Sequence, residues 1–138
     1  MTGELDIARQ WILKARNDLL DADNNLIAEH VPCDTVCYHC QQAVEKFLKA
    51  VLAAKCVPPP RTHNLLLLLE MIIPFAPDAE NIRDCLAILT PYSVAMRYPD
   101  DDGLNVPTLT DAREARQCAE HVLNRLVSQL PDVFKMPN

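Results

Sequence analysis

Residues 33–40 read CDTVCYHC, three cysteines separated by three and then two residues, with Tyr38 just before the last pair. Three thiolates at that spacing are used by radical S-adenosylmethionine enzymes to hold an iron–sulfur cluster, and His39 adds a fourth candidate ligand for zinc. Both sites need ligands that converge on one point. The surrounding pattern opposes this: Cys37 and Cys40 fall three apart, in register with Val44 and Phe47 on one helical face. His39 is turned about 100° from Cys40 on the same helix. The expectation is two cysteines packed as small apolar side chains, Cys33 lying outside the helix, and no metal or cofactor.

The elements around these residues follow from apolar periodicity. The chain has 138 residues, 49% apolar, 23% charged and 5% aromatic, the length and composition of a single domain spanning 1–138. Eleven prolines and two glycines punctuate it, and most of the prolines fall between periodic segments. Leu5, Ala8, Ile12, Ala15, Leu19, Ala22 and Leu26 predict a first helix from Glu4 to His30. Cys37, Cys40, Val44, Phe47, Val51 and Ala54 predict a second from Asp34, as N-cap, to Lys55. LLLLLEMII after Asn64 predicts a third helix, apolar nearly all round and deeply buried. A fourth is expected from Asp78 to Thr90, broken at Pro91, with YSVAMRY adding a turn or two. The last runs from Thr108 to Leu130, opened by a capping box of Thr108 with Asp111. No segment alternates with period two. The expected fold class is all-α, an up-and-down antiparallel bundle of four to five helices.

Charge and hydropathy narrow the function classes. A net charge of −6 argues against general affinity for nucleic acid or acidic membrane. MTGELDIARQ has no basic end followed by an apolar stretch, and the run from Leu65 to Ile73 is interrupted by Glu70 and too short to span a bilayer. No membrane association and a reducing, cytoplasmic location with free thiols are expected. One region differs. Between residues 34 and 63, Lys46, Lys49, Lys55 and Arg61 face only Asp34 and Glu45, giving +2 against −8 for the remainder.

Three separated motifs then stand in order. They are Ala43, Glu45, Lys46, Leu48, Lys49 and Ala50; Thr62, His63 and Leu65; and Arg97, Tyr98 and Pro99. Together they strongly resemble the HEPN domain family over about residues 5–130. The resemblance implies an antiparallel helical bundle, a homodimer, and pairing with a small MNT-type nucleotidyltransferase as a toxin–antitoxin module. Catalytic members are metal-independent ribonucleases that use an Arg and a later His with four to six residues between them. Arg97 matches the Arg by position, but 102–104 are Asp102, Gly103 and Leu104. Arg116 with His121 has the right count, yet inside a helix five residues turn the two roughly 140° apart.

Two functions are therefore weighed. In the favoured one the chain is a non-catalytic dimeric module that binds a nucleotide, a nucleotidyltransferase partner, or both. Lys49, His63 and Arg97 would hold phosphate and Tyr98 would offer an aromatic face. In the alternative it is a ribonuclease toxin acting on RNA through Arg116 and His121. Lys46 and Lys49 also have a plainer reading, as solvated side chains on the outer face of the second helix.

Overall fold

The computed structural model describes residues 3–93 and 106–135. Among these the chain is all-α, with no strand. The α-helices are α1 (Glu4–Leu26), α2 (Cys33–Ala54), α3 (Leu65–Ile72), α4 (Arg83–Leu89), α5 (Leu109–Gln129) and α6 (Pro131–Phe134). Short 3₁₀ turns at Pro77–Ile82 and Thr90–Tyr92 flank α4. The expected bundle of four to five helices gains α6, a single turn opened by Pro131 after α5. Arg97, Tyr98 and the acidic run Asp100–Asp102 lie outside the described residues.

α2 is the axis of the bundle, with α1, α3 and α5 packed along it. Its apolar stripe of Cys37, Cys40, Val44, Phe47 and Val51 is fully buried. Ala8, Ala15 and Ala22 present almost no bulk on the inner face of α1, so α1 can lie close to α2. Ala112, Ala115 and Ala119 do the same for α5. The Phe47 ring meets Phe134 of α6 at 6.0 Å between centroids, closing the end of the core.

Several helix ends differ from the sequence reading. α1 stops at Leu26 rather than His30; the Asn25 side-chain amide donates to the Asp21 carbonyl at 3.0 Å, one turn before the end. Asp34 is not the N-cap of α2. The helix begins at Cys33 after Pro32, which places Cys33 inside it, and the Asp34 carboxylate accepts from the Thr35 amide. The segment from Asp78 opens as a 3₁₀ turn, and α-geometry starts only at Arg83. Leu5, assigned to the inner stripe, is exposed. α3 is buried through Leu65, Leu68, Leu69 and Ile72, while Leu67 and Glu70 face solvent. The caps at Asn64 and Thr108 match expectation. Asn64 Oδ1 accepts from the Leu67 amide at 3.1 Å, and Thr108 and Asp111 exchange hydrogen bonds at 3.2 and 2.9 Å.

The C-terminus of α2 is a Schellman turn: the Val57 amide donates to the Leu52 carbonyl and the Cys56 amide to the Ala53 carbonyl. Cys56 occupies the left-handed position with φ of 62°, where glycine is the unstrained residue. Cys56→Gly is expected to raise stability by about 1 kcal/mol, read as a higher urea midpoint.

Burial holds the inner thiols protonated. Loss of solvent pushes Cys37 and Cys40 up to about 12 from an ordinary value of 9.0, and burial with the neighbouring Cys85 thiol does the same to Cys118. A raised folded-state pKa leaves its stability contribution intact below the unfolded value near 9.0 and removes it as pH climbs toward 12. Denaturation midpoints in a reducing buffer should be insensitive to these thiols below pH 8. They should fall above pH 9, and the fall should be smaller in Cys40→Ala.

Candidate functional site

Gln41, Glu45 and Lys49 recur at i, i+4 and i+8 on α2, so they share a face. That face is polar in sequence and buried in the fold. Glu45 and Lys49 expose less than a tenth of their surface, as do Gln41 and Asp18 nearby. Lys49 is therefore not on a solvated outer face, contrary to the plainer sequence reading.

A buried carboxylate needs partners. Glu45 has three. Lys49 Nζ donates to its Oε2 at 3.1 Å, His63 Nδ1 lies 2.7 Å from its Oε1, and Gln41 Nε2 reaches the same oxygen at 3.4 Å. Gln41 Nε2 also donates to the His63 backbone carbonyl, and Gln42 Nε2 donates to Gln41 Oε1 at 2.7 Å. The Lys49 ammonium sits 5.6 Å from the centroid of the Trp11 ring, which covers it from α1. The network thus joins α1, α2 and the loop before α3.

The loop is built to present His63. Pro58, Pro59 and Pro60 limit its freedom, and the Asn64 amide donates to Thr62 Oγ1 at 3.1 Å, so the residues flanking His63 are bonded to each other. Asn64 then caps α3. An ionised carboxylate only accepts, so Nδ1 carries the proton shared with Glu45. The imidazole is 54% exposed, and Nε2 has no partner among the described residues. The arrangement can offer one outward ring nitrogen, held in a fixed orientation, with a buried ammonium behind it.

A second acidic centre clips α1 to α2. Asp18 binds His39 Nδ1 at 2.8 Å and Lys46 Nζ at 2.5 Å, and His39 Nε2 lies 3.6 Å from Asp21. His39 is thereby directed at α1 and away from the thiols. Among the described residues no three His, Cys, Asp or Glu side chains are arranged to hold a metal ion.

Arg116 and His121 both lie in α5. The Arg116 guanidinium grips Asp23 of α1 with Nε at 2.6 Å and Nη2 at 3.2 Å, and Glu120 with Nη1 at 3.0 Å. The hydrogen bonds to Asp23 and then Glu120 raise its pKa further. The geometry ties Arg116 to two carboxylates and does not join it to His121.

The HEPN domain family model matches residues 8–130, from the first buried alanine of α1 to the end of α5. The chain belongs to the HEPN domain family. No curated protein and no solved structure matches it closely enough to add to that. The HEPN motif residues divide between two physical roles. Ala43, Leu48, Ala50 and Leu65 are core, whereas Glu45, Lys49 and His63 form the network and Lys46 reaches Asp18. Glu45 as hub and Trp11 as lid were missed in the sequence. The i, i+4 pairing of Glu45 with Lys49 was visible, but nothing in one sequence placed His63 on the same carboxylate. No helix among the described residues is long and apolar enough to cross a membrane.

Removing one member of a buried ion pair strands the other. Lys49→Met should lower unfolding free energy by about 3 kcal/mol, whereas Lys46→Met, removing a part-exposed ammonium from a carboxylate that keeps His39, should cost about 1 kcal/mol. Urea titrations of the two variants check the difference.

Proposed function

We propose that this HEPN chain is the non-catalytic member of a toxin–antitoxin pair, a homodimer that binds the phosphate of a nucleotide and engages an MNT-type nucleotidyltransferase. The observation that carries the reading is the convergence of Lys49 and His63 on Glu45, with His63 Nε2 turned outward. In this reading a proton taken up on Nε2 with the phosphate makes the ring a cation, so two cations then outweigh the one carboxylate. A phosphate oxygen accepts from Nε2–H in a charge-assisted hydrogen bond. Glu45 keeps the ring oriented, so little side-chain freedom is lost on binding. Lys49 acts from behind the carboxylate as fixed positive charge. Arg97 and Tyr98, outside the described residues, are assigned to the same site from the family resemblance alone, as a second phosphate donor and an aromatic face for the base.

The charge distribution supports the same region, since residues 34–63 are locally positive in a chain of net −6. Two features weigh against RNA cleavage: the positions where catalytic members carry histidine after the matched Arg97 hold Asp102, Gly103 and Leu104, and Arg116 is neutralised by Asp23 and Glu120.

Titration with a fluorescent adenine nucleotide should show binding that falls at least about tenfold in His63→Ala and Arg97→Ala, each deleting a charged hydrogen bond. Arg116→Ala should bind as the unaltered protein does. Equal affinity across all four proteins would remove the site. Discrete cuts in total RNA incubated with the protein and chelator, abolished by His121→Ala, would establish the ribonuclease instead.

A further inference from the structure

α1 carries a second stripe that the core does not use. Leu13, Leu20 and Ile27 are all more than half exposed, and they recur at intervals of seven. Seven residues fall about 20° short of two full helical turns, so the three form one straight ladder. It lies on the side of α1 opposite Ala8, Ala15 and Ala22, which face α2. Large aliphatics at heptad spacing form the seam of a helix pair, and here the partner helix is missing.

We propose that this ladder is a homodimer surface: α1 packs antiparallel on α1 of a second copy, about a two-fold axis at Leu20. This deepens the dimer of the proposed function by naming its surface, and it rests on that reading for the number of copies. The polar residues beside the ladder select the second copy and its direction. Arg16 and Asp23 lie on one flank of it, about 40° and 60° round the helix from Leu20, one before and one after that residue. An antiparallel second copy lays Arg16 over Asp23. A parallel one would set Arg9 and Arg16 against their own copies, which is repulsive. With the axis at Leu20, Leu13 meets Ile27 of the second copy and Leu20 meets itself. Residues on the same flank face one another across such an axis. Arg16 then comes opposite Asp23 of the second copy on one flank, and Asn17 comes opposite Asn24 on the other. Among the described residues Arg16 makes no ion pair within the chain. Asp23, though bound to Arg116, leaves about half its side chain open. The arrangement is self-complementary, as a two-fold contact requires.

Sedimentation equilibrium over a range of concentrations tests the surface, with circular dichroism as the control for folding. Leu20 is exposed, so Leu20→Glu should leave the helical spectrum unchanged. It should weaken dimerisation by about a hundredfold, because two like charges meet at the axis. Register is read separately in a Cys56→Ser background, which removes the exposed native thiol. Leu20→Cys should cross-link to a disulfide dimer when a peroxide takes two electrons from the paired thiols and is reduced to water. Leu13→Cys alone should not. A dimer that Leu20→Glu does not weaken, or self-cross-linking of Leu13→Cys, overturns the surface or its direction while the two-copy reading stands. A protein that is monomeric throughout overturns both. Nucleotide titration of Leu20→Glu is independent of either result and isolates the phosphate site.

Discussion

A carboxylate taken out of water must be answered by donors or cations, and that requirement organises this bundle around Glu45. Its two oxygens recruit the Lys49 ammonium, the Gln41 amide and the His63 imidazole. Each recruitment fixes something larger. Lys49 brings Trp11, and with it α1, against the polar face of α2. His63 pins the proline-rich loop, and Asn64 beside it starts α3. The price of burying one charge is thus converted into positional order across three elements, in keeping with the specificity that fully partnered buried networks confer. Asp18 repeats the device on a smaller scale, with His39 and Lys46 as its partners.

The same geometry separates the chemistry that the sequence could suggest. CDTVCYHC is a run of potential ligands, yet α2 turns Cys37 and Cys40 into hydrocarbon, where desolvation keeps both thiols protonated. His39 is claimed by Asp18 and Asp21, and Arg116 by Asp23 and Glu120. Among the described candidates, His63 is left facing outward with a defined orientation. In a HEPN chain without the histidine expected after the matched arginine, that orientation is what the proposed binding role rests on.

Much of the bundle was legible because apolar spacing reports directly which side of a helix is inward. Ala8, Ile12, Ala15, Leu19 and Ala22, and Cys37, Cys40, Val44 and Phe47, were readable that way, and so were the caps at Asn64 and Thr108. Helix ends were less so. Asn25 and Cys33 show why: a side chain competing for backbone bonds, or a proline just upstream, moves an end by a few residues without altering the stripe. The polar face of α2 was misread for a different reason. Periodicity says that Glu45 and Lys49 lie opposite part of the core, but not that other elements cover them. That depends on long-range packing by Trp11 and the loop at His63, which no local pattern encodes.

The orientation of His63 tests the account most directly. Two-bond nitrogen–proton correlation spectra of the imidazole distinguish which ring nitrogen carries the proton. The account predicts the Nδ1–H tautomer in the neutral ring, lost when Glu45 is replaced by alanine, with the Nε2 resonance moving on addition of a nucleotide. An Nε2–H tautomer, or a His63 signal indifferent to both Glu45→Ala and nucleotide, would contradict it.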